Sequence, residues 1–236
     1  MRGLVGICAA SIVAFGASGA IASTVLFTDN FDSEVAPTPP GWVANYTSFA
    51  NFFVGGGTVD LLGPSNPFGL TGSGNFVDLD GSTNQGGFLE TIPQFSFAAG
   101  ETLTLDVLVS GNQRTGTDGL FAGFRFFTPR DIAGVSTTGF TSTQTPDVPT
   151  LELLGIAAVP TNSPYQNYTI SFRALSAGKA SALVGTTSND NIGPLLDQVT
   201  LSAVVPEPAG WALMLLGFGG IGAVLRRRRE AAALPA

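Results

Sequence analysis

Residues 23–204 predict an all-β fold, an antiparallel two-sheet sandwich of jelly-roll type. Three observations carry that expectation. Several runs alternate apolar and polar residues at period two, the mark of a strand with one buried face. Clusters of Gly, Pro, Asn and Ser separate those runs. No segment of this stretch shows the 3.6-residue apolar spacing of an amphipathic helix. About ten short strands without intervening helices close as two packed sheets. A β-solenoid would show a short fixed repeat, and none is present.

Taken along the chain, strands are expected at 24–31, 51–62, 75–80 and 87–91. Leu103, Leu105, Val107 and Val109 then alternate with Thr102, Thr104 and Asp106. Strands at 120–127 and 151–157 follow, before Tyr168, Ile170, Phe172 and Ala174 alternate with Thr169, Ser171 and Arg173. A strand at 179–187 precedes the last run, in which Val199, Leu201 and Ala203 alternate with Thr200 and Ser202. Turns are expected at 38–41, 63–67, 110–112, 118–119, 162–164 and 191–194. Gly55-Gly56-Gly57 reads as a bulge or tight bend rather than a phosphate cradle, because neither a lysine nor a helix follows it. Thr141-Ser142-Thr143-Gln144-Thr145 has the T-x-T spacing of ice-binding surfaces, but one unrepeated copy predicts a linker-like turn.

Composition narrows the function. Charged residues make up 11% of the 236, well below the usual ~25%, and Thr, Gly and Phe are abundant, as in secreted β-proteins. Five of the ten basic residues are Arg2 and the block Arg226, Arg227, Arg228, Arg229, whereas every acid except Glu207 and Glu230 lies between residues 23 and 205. A domain that acidic repels phosphate backbones, which excludes nucleic acid as a partner. Histidine is absent, so no Ser-His-Asp or Cys-His nucleophile and no His-ligated zinc is available. Cys8 is the only cysteine and leaves the expected domain without a disulfide. Ile7 before it is too large for a lipoprotein signal.

The two ends read as targeting segments. In residues 1–22, Arg2 is followed by a small-residue apolar stretch that closes with Ala20-Ile21-Ala22 before Ser23. This is the layout of a signal helix handled by the Sec translocon and cut by signal peptidase. Near the other end, Pro206-Glu207-Pro208 precedes an uncharged apolar stretch, 209–225, and then the four arginines. A helix of that length spans roughly 25 Å, just enough for a transmembrane helix through a thin bilayer. The arginines would keep the tail end cytoplasmic, and the prolines would hold the preceding chain extended where a protease can reach it.

Pro206, Glu207, Pro208, Trp211 and the sequence through Gly222 into Arg226 resemble the PEP-CTERM sorting signal in its PEPxxWA form. The same tail is also known as an ice-binding protein C-terminal domain, a label without consequence for ice affinity. The resemblance implies transient inner-membrane anchoring and cleavage near Pro-Glu-Pro by an exosortase-type membrane protease, in a Gram-negative bacterium that makes exopolysaccharide. The expected organisation is a signal peptide at 1–22, the sandwich at 23–204, the sorting signal at 205–230 and a short tail at 231–236. Asp29-Asn30-Phe31-Asp32-Ser33-Glu34, Tyr168-Thr169-Ile170-Ser171-Phe172 and 193–201 are similar to the opening and closing strands of galactose-binding-like jelly rolls. That resemblance implies a carbohydrate-binding module. It also implies a structural calcium, for which Asp32, Glu34 and Asp197 are the candidates by position, the remaining ligands being oxygens.

The residues themselves suggest a sugar site as well. Asp78 and Asp80 fall on one strand face, with Val77 and Leu79 on the other. Two carboxylates so placed need solvent, a cation or a sugar's hydroxyls. Asn112, Gln113 and Arg114 offer donors on a loop, and Trp42, Tyr46 or Tyr165 offer rings for stacking. A solvated strand end and a polar turn account for the same residues equally well. A glycoside hydrolase needs a pair of carboxylates about 5–9.5 Å apart. Glu90, Glu101 and Glu152 could supply one, yet no motif singles out a pair, and no enzyme is expected. The two leading expectations are a protein of the envelope or matrix that binds exopolysaccharide, and a structural biofilm component that acts through protein contacts.

Overall fold

Period-two alternation builds the sandwich. The computed structural model describes residues 22–34, 41–127, 131–144 and 152–205, together with 218–220, 222–223 and 226. Its strands are β1 (Ala22–Asp29), β2 (Trp42–Val43), β3 (Phe52–Gly55), β4 (Asp60–Leu62), β5 (Phe76–Asp78), β6 (Phe88–Thr91), β7 (Phe95–Phe97) and β8 (Thr102–Ser110). After these come β9 (Thr117–Phe126), β10 (Ile132–Thr138), β11 (Ser142–Gln144), β12 (Glu152–Pro160), β13 (Gln166–Ala174), β14 (Gly178–Thr186) and β15 (Leu195–Val205). In β8, Leu103, Leu105, Val107 and Val109 are fully buried while the residues between them stay half-exposed. Tyr168, Ile170, Phe172 and Ala174 give β13 the same two faces.

Two sheets form, each with antiparallel pairings throughout. One runs β10-β13-β8-β15-β5-β4-β2, with β1 also paired to β15, and the other runs β11-β12-β9-β14-β6-β3, with β7 also paired to β14. The expected strand at 51–62 is in fact two. Gly56, at φ 76°, breaks it, so that β3 joins one sheet and β4 the other. Two expected turns are strands instead. Residues 118–119 lie inside β9, where Asp118 pairs with Val159 and Gly119 with Ala158. Residues 142–144 form β11, an edge strand on β12. Among the described residues, β2, β7, β10 and β11 are the strands the sequence did not announce.

The main core lies between the sheets, from Phe31 and Phe52 at one side to Phe126 and Phe172 at the other. Phe172 meets Phe97, Phe124 and Phe126 edge to face, with ring centroids 5.6, 4.9 and 5.1 Å apart. Such contacts add about 0.5–1.5 kcal/mol per pair to the burial of the rings. A second, small cluster of Leu62, Leu70, Phe76 and Leu195 packs against Trp42 and Tyr165.

Ala22–Val205 forms one compact unit. The expected signal helix at 1–22 falls almost wholly outside the described residues, and so does most of the expected transmembrane helix at 209–225. In the tail, 218–220, 222–223 and 226 are helical. Among the described residues, no helix is long and apolar enough to cross a membrane.

Phe172, fully buried among three other rings, is the residue on which the core should be most sensitive. Phe172→Ala is expected to lower unfolding stability by about 3–5 kcal/mol, measured by denaturant titration. A loss below about 1 kcal/mol would mean that the sheets do not meet there.

Candidate functional site

The loops that leave β5, β8, β12 and β14 meet at one end of the sandwich and are held together by side chains. Gln113, after β8, accepts the Thr71 N–H at 2.9 Å and returns its own amide to the Thr71 carbonyl at 2.8 Å. Asn112 Oδ1 accepts the N–H groups of Arg114 and Thr115 and the hydroxyl of Thr161. Its amide reaches Asp118 at 2.9 Å. Asp78 Oδ1 accepts from the Asp80 N–H at 3.0 Å and the Gly193 N–H at 2.9 Å. Gly193 is required there by close approach, since a Cβ would sit 2.4 Å from the Asp80 nitrogen.

Four of the five expected sugar contacts are thereby brought together, but three of them are internal. Asp78, Asp80 and Asn112 are 2%, 0% and 1% exposed. They tie loops to each other and do not face solvent. Burial pushes the Asp78 carboxyl well up, against the opposing pull of two N–H donors and Arg114. Burial likewise raises Asp80 and takes Asp118 up to about 6, with Asp190 adding negative charge beside both. Arg114 is the exposed member of the set. It lies 3.6 Å from Asp78 Oδ2 and 5.1 Å over the Phe68 ring. Trp42 reaches the cluster indirectly, edge to face with Phe68 at 5.0 Å.

Beside this buried network is an open cleft of about 390 Å³. Thr71, Ser110, Gln113, Asn162, Ser163 and Tyr165 supply hydroxyl and amide groups to its wall, and no charged residue lines it. The Tyr165 hydroxyl is buried beside the Ser110 side chain, which is its hydrogen-bonding neighbour. Burial pushes its phenol up, so it remains a neutral donor. Tyr165 and Gln113 were visible in the sequence. Thr71, 42 residues from Gln113 in the chain, was not.

The residues expected to hold calcium are not equally placed. Asp197 is the extra residue of a β-bulge where β15 passes β8, and its Oδ1 accepts the Ser73 N–H at 3.1 Å. Asp32 Oδ1 accepts the Asn75 N–H at 2.9 Å, and its charge adds to the raising of Asp197, which burial dominates. The two thus flank the 73–75 loop. The Glu34 carbonyl accepts the Asn75 amide of the same loop at 2.8 Å, but its carboxylate turns away, taken by the Tyr46 hydroxyl and the Ala50 N–H. Among the described residues, no three acidic, histidine or cysteine side chains converge as a metal-binding group. Of the three, Asp32 and Asp197 approach the same loop, and Glu34 does not direct its carboxylate there.

Of the three glutamates, Glu90 and Glu152 meet through Arg125, which pairs with both. Ser181 also donates to Glu90 at 2.5 Å. Glu101 caps the turn before β8 by accepting the Ala98 N–H.

The class these observations define is an all-β chain with a C-terminal sorting motif. Residues 204–229 match the family model of the PEP-CTERM protein-sorting motif. The motif marks an exported protein, transiently anchored in a membrane and recognised by an exosortase-type protease. No curated protein matches the chain. Among solved structures, the adhesin domain of Lys-gingipain from Porphyromonas gingivalis W83 is similar over 79% of this chain and 99% of that one, at 13% identity and a TM-score of 0.38. A glycosyl hydrolase family protein from Mycobacterium fortuitum is similar over 75% of this chain and 99% of that one, at 14% identity and a TM-score of 0.21. Likenesses this distant decide neither the topology nor the ligand.

The raised carboxyls make stability depend on pH. A group whose pKa rises on folding binds its proton more tightly in the folded state, and its contribution is lost as pH climbs through the folded value. Asp118 therefore favours folding below its unfolded value of 3.8 and loses that contribution as pH rises through about 6. Asp118→Asn, which keeps the shape, is expected to reduce the fall in Tm between about pH 5 and pH 7. An unchanged pH profile would show that Asp118 is ordinarily ionised.

Proposed function

We propose that the chain is a non-catalytic, exported envelope or matrix protein whose sandwich binds carbohydrate, with the cell's own exopolysaccharide as its ligand. The supporting observation is the cleft at the loop end. Its wall is neutral, and its groups are hydroxyls and amides. A sugar supplies both donors and acceptors to such a wall, and the half-exposed ring of Tyr165 offers a face for stacking. Phe68 and Arg114, beside the cleft at Gln113, extend the contact surface.

In this reading the first 22 residues are a signal peptide removed by signal peptidase after Sec export, and 23–204 is the cargo. The sandwich is of galactose-binding-like jelly-roll type, and the tail is of the PEPxxWA form. Residues 209–225 anchor the chain in the inner membrane until an exosortase cuts near Pro206-Glu207-Pro208, with Arg226–Arg229 cytoplasmic. Glu90 and Glu152 act as partners of one guanidinium rather than as an acid and a nucleophile, which is the ground for placing catalysis aside.

A second reading, a structural component acting through protein contacts, draws on a different surface. Phe53 on the edge strand β3 and Ile92 just after β6 are each 59% exposed, and their strands are neighbours. Such a pair suits contact with another protein.

Tyr165→Phe separates these readings. Removing the buried hydroxyl is expected to change the stability of the fold by no more than about 1 kcal/mol. It is also expected to weaken binding to isolated exopolysaccharide by roughly threefold to tenfold, the worth of one hydrogen bond. Thermal unfolding and a polysaccharide co-sedimentation assay read the two effects. No binding by the unaltered protein to any polysaccharide, or binding that Tyr165→Phe leaves unchanged, would remove the cleft from the account.

A further inference from the structure

The strand register gives the sandwich two unlike ends. Val205 closes β15 opposite Ala22, so the chain enters and leaves the sandwich at the same end. Arg173, Thr102 and Val204 stand side by side there, across β13, β8 and β15. At the usual strand spacing this puts the Arg173 backbone about 10 Å from the exit. Neighbouring loops complete this end. The Lys179 carbonyl accepts the Phe127 N–H at 3.0 Å, and the Asp131 carbonyl accepts the Leu175 N–H at 2.7 Å. The cleft lies at the other end, where Ser110 on its wall pairs with Leu195 at the start of β15. Because β15 has 11 residues, roughly 33 Å separate the two ends.

The end at which the chain leaves exposes large apolar side chains. Phe127 is 44% and Leu175 52% exposed. Each follows the end of a strand, β9 or β13, whose last core positions are already filled by Phe126, Phe172 and Ala174. Charge is distributed along the same axis. Arg173 and Lys179 are exposed at the exit end, with Glu101 and Asp131 as the acids beside them. The cleft end carries Asp78, Asp80, Asp118, Asp190 and Asp197, with Arg114 as their cation. Exposed charges are screened over about 8 Å in physiological salt, so the two ends meet their surroundings independently. An anionic surface therefore repels the cleft end far more strongly than the exit end.

We infer that the exit end is a docking surface for a lipid bilayer, with Phe127 and Leu175 set among the headgroups, Arg173 and Lys179 on anionic lipid, and the cleft facing away. The inference rests on the reading that 209–225 anchors the chain. Three residues separate Val205 from Ala209, a reach of at most about 14 Å when fully extended. An anchored tail therefore confines this end of the sandwich to the membrane surface. Binding to a bilayer surface scales with buried apolar area and with attraction to anionic lipid, so two apolar and two cationic side chains make a weak contact alone. The tether makes that contact intramolecular, where effective concentrations are of millimolar order. Cleavage near Pro206 ends that advantage and frees the sandwich. The contact thus orients the cargo only while it is anchored, and it leaves the cleft open to a polymer outside the membrane.

The test uses the full chain with Cys8→Ser, reconstituted in vesicles of phosphatidylethanolamine and phosphatidylglycerol that carry a nitroxide on a share of the headgroups. One fluorescent dye is attached through Ala177→Cys, in the loop between β13 and β14, or through Asn162→Cys, on the cleft wall, both exposed positions. The expected result is loss of fluorescence from the dye at 177 and none from the dye at 162. Phe127→Ser with Leu175→Ser, again at exposed positions, is expected to restore the fluorescence at 177. Arg173→Gln with Lys179→Gln is expected to restore part of it. Equal quenching of the two dyes would overturn the inference. So would quenching at 177 that survives Phe127→Ser with Leu175→Ser, since the tail would then tether a sandwich that turns freely. A chain that does not float with the vesicles would remove the anchor itself, and the inference with it.

Discussion

The sandwich depends on the pairing of its last strand. β15 hydrogen-bonds to β8 along most of its length, to β5 at its start and to β1 toward its end. The contact between Thr28 and Thr200 across β1 and β15 joins residues 172 apart in the chain. Long-range pairing of this kind pays its loop-closure entropy before any contact repays it. Without β15, β8 would keep only β13 as a neighbour, and the sheet would divide. The apolar faces of Val199 and Leu201, nearly fully buried, supply the free energy that holds the closure.

That constraint also organises the polar end. The loop before β15 brings Gly193 against Asp78, and the bulge at Asp197 turns a carboxylate toward the 73–75 loop. Both are consequences of strand register. Once β15 is fixed between β8 and β5, the loops around it have few places to go, and Asn112, Gln113 and Asp118 knit them with hydrogen bonds that involve few net charges. The neutral cleft is the part of this end that the knitting leaves open. Rigid loops on a sheet scaffold are a favourable platform for recognition, because little ordering entropy remains to be lost on binding.

How far the sequence disclosed this depends on the range of the forces involved. β8, β13 and β15 were legible because one face of each is buried, which imprints period two directly on the chain. β2, β7 and β11 are two or three residues long, too short to have a period. β10 is an edge strand with mostly exposed residues and little apolar alternation. Asp78 and Asp80 were expected on one exposed strand face, but β5 ends at Asp78, and both are buried because the loop before β15 closes over them through the Gly193 and Asp190 N–H groups. The expected turn at 118–119 became strand for a similar reason, since Asp118 is satisfied by Asn112 and Ser188 rather than by its own backbone. Spacing could not reveal the cleft, since Thr71, Gln113 and Tyr165 come together only through tertiary structure. The sorting motif was the reverse case. It is read by a membrane protease as a linear segment, and linear segments are what a sequence displays.

The motif at 204–229 begins on the last two residues of β15, so the chain passes from the closing strand into the sorting signal with no linker. Cleavage just beyond β15 would leave every strand of the sandwich in place and remove the arginine block. The central claim is that delivery and cargo divide at that point. Intact-mass measurement of the protein recovered from cells and from the medium tests it most directly. The account predicts a mature chain that begins at Ser23 and ends close to Pro206. A mature chain that retains Arg226–Arg229, or one truncated inside β15, would contradict it.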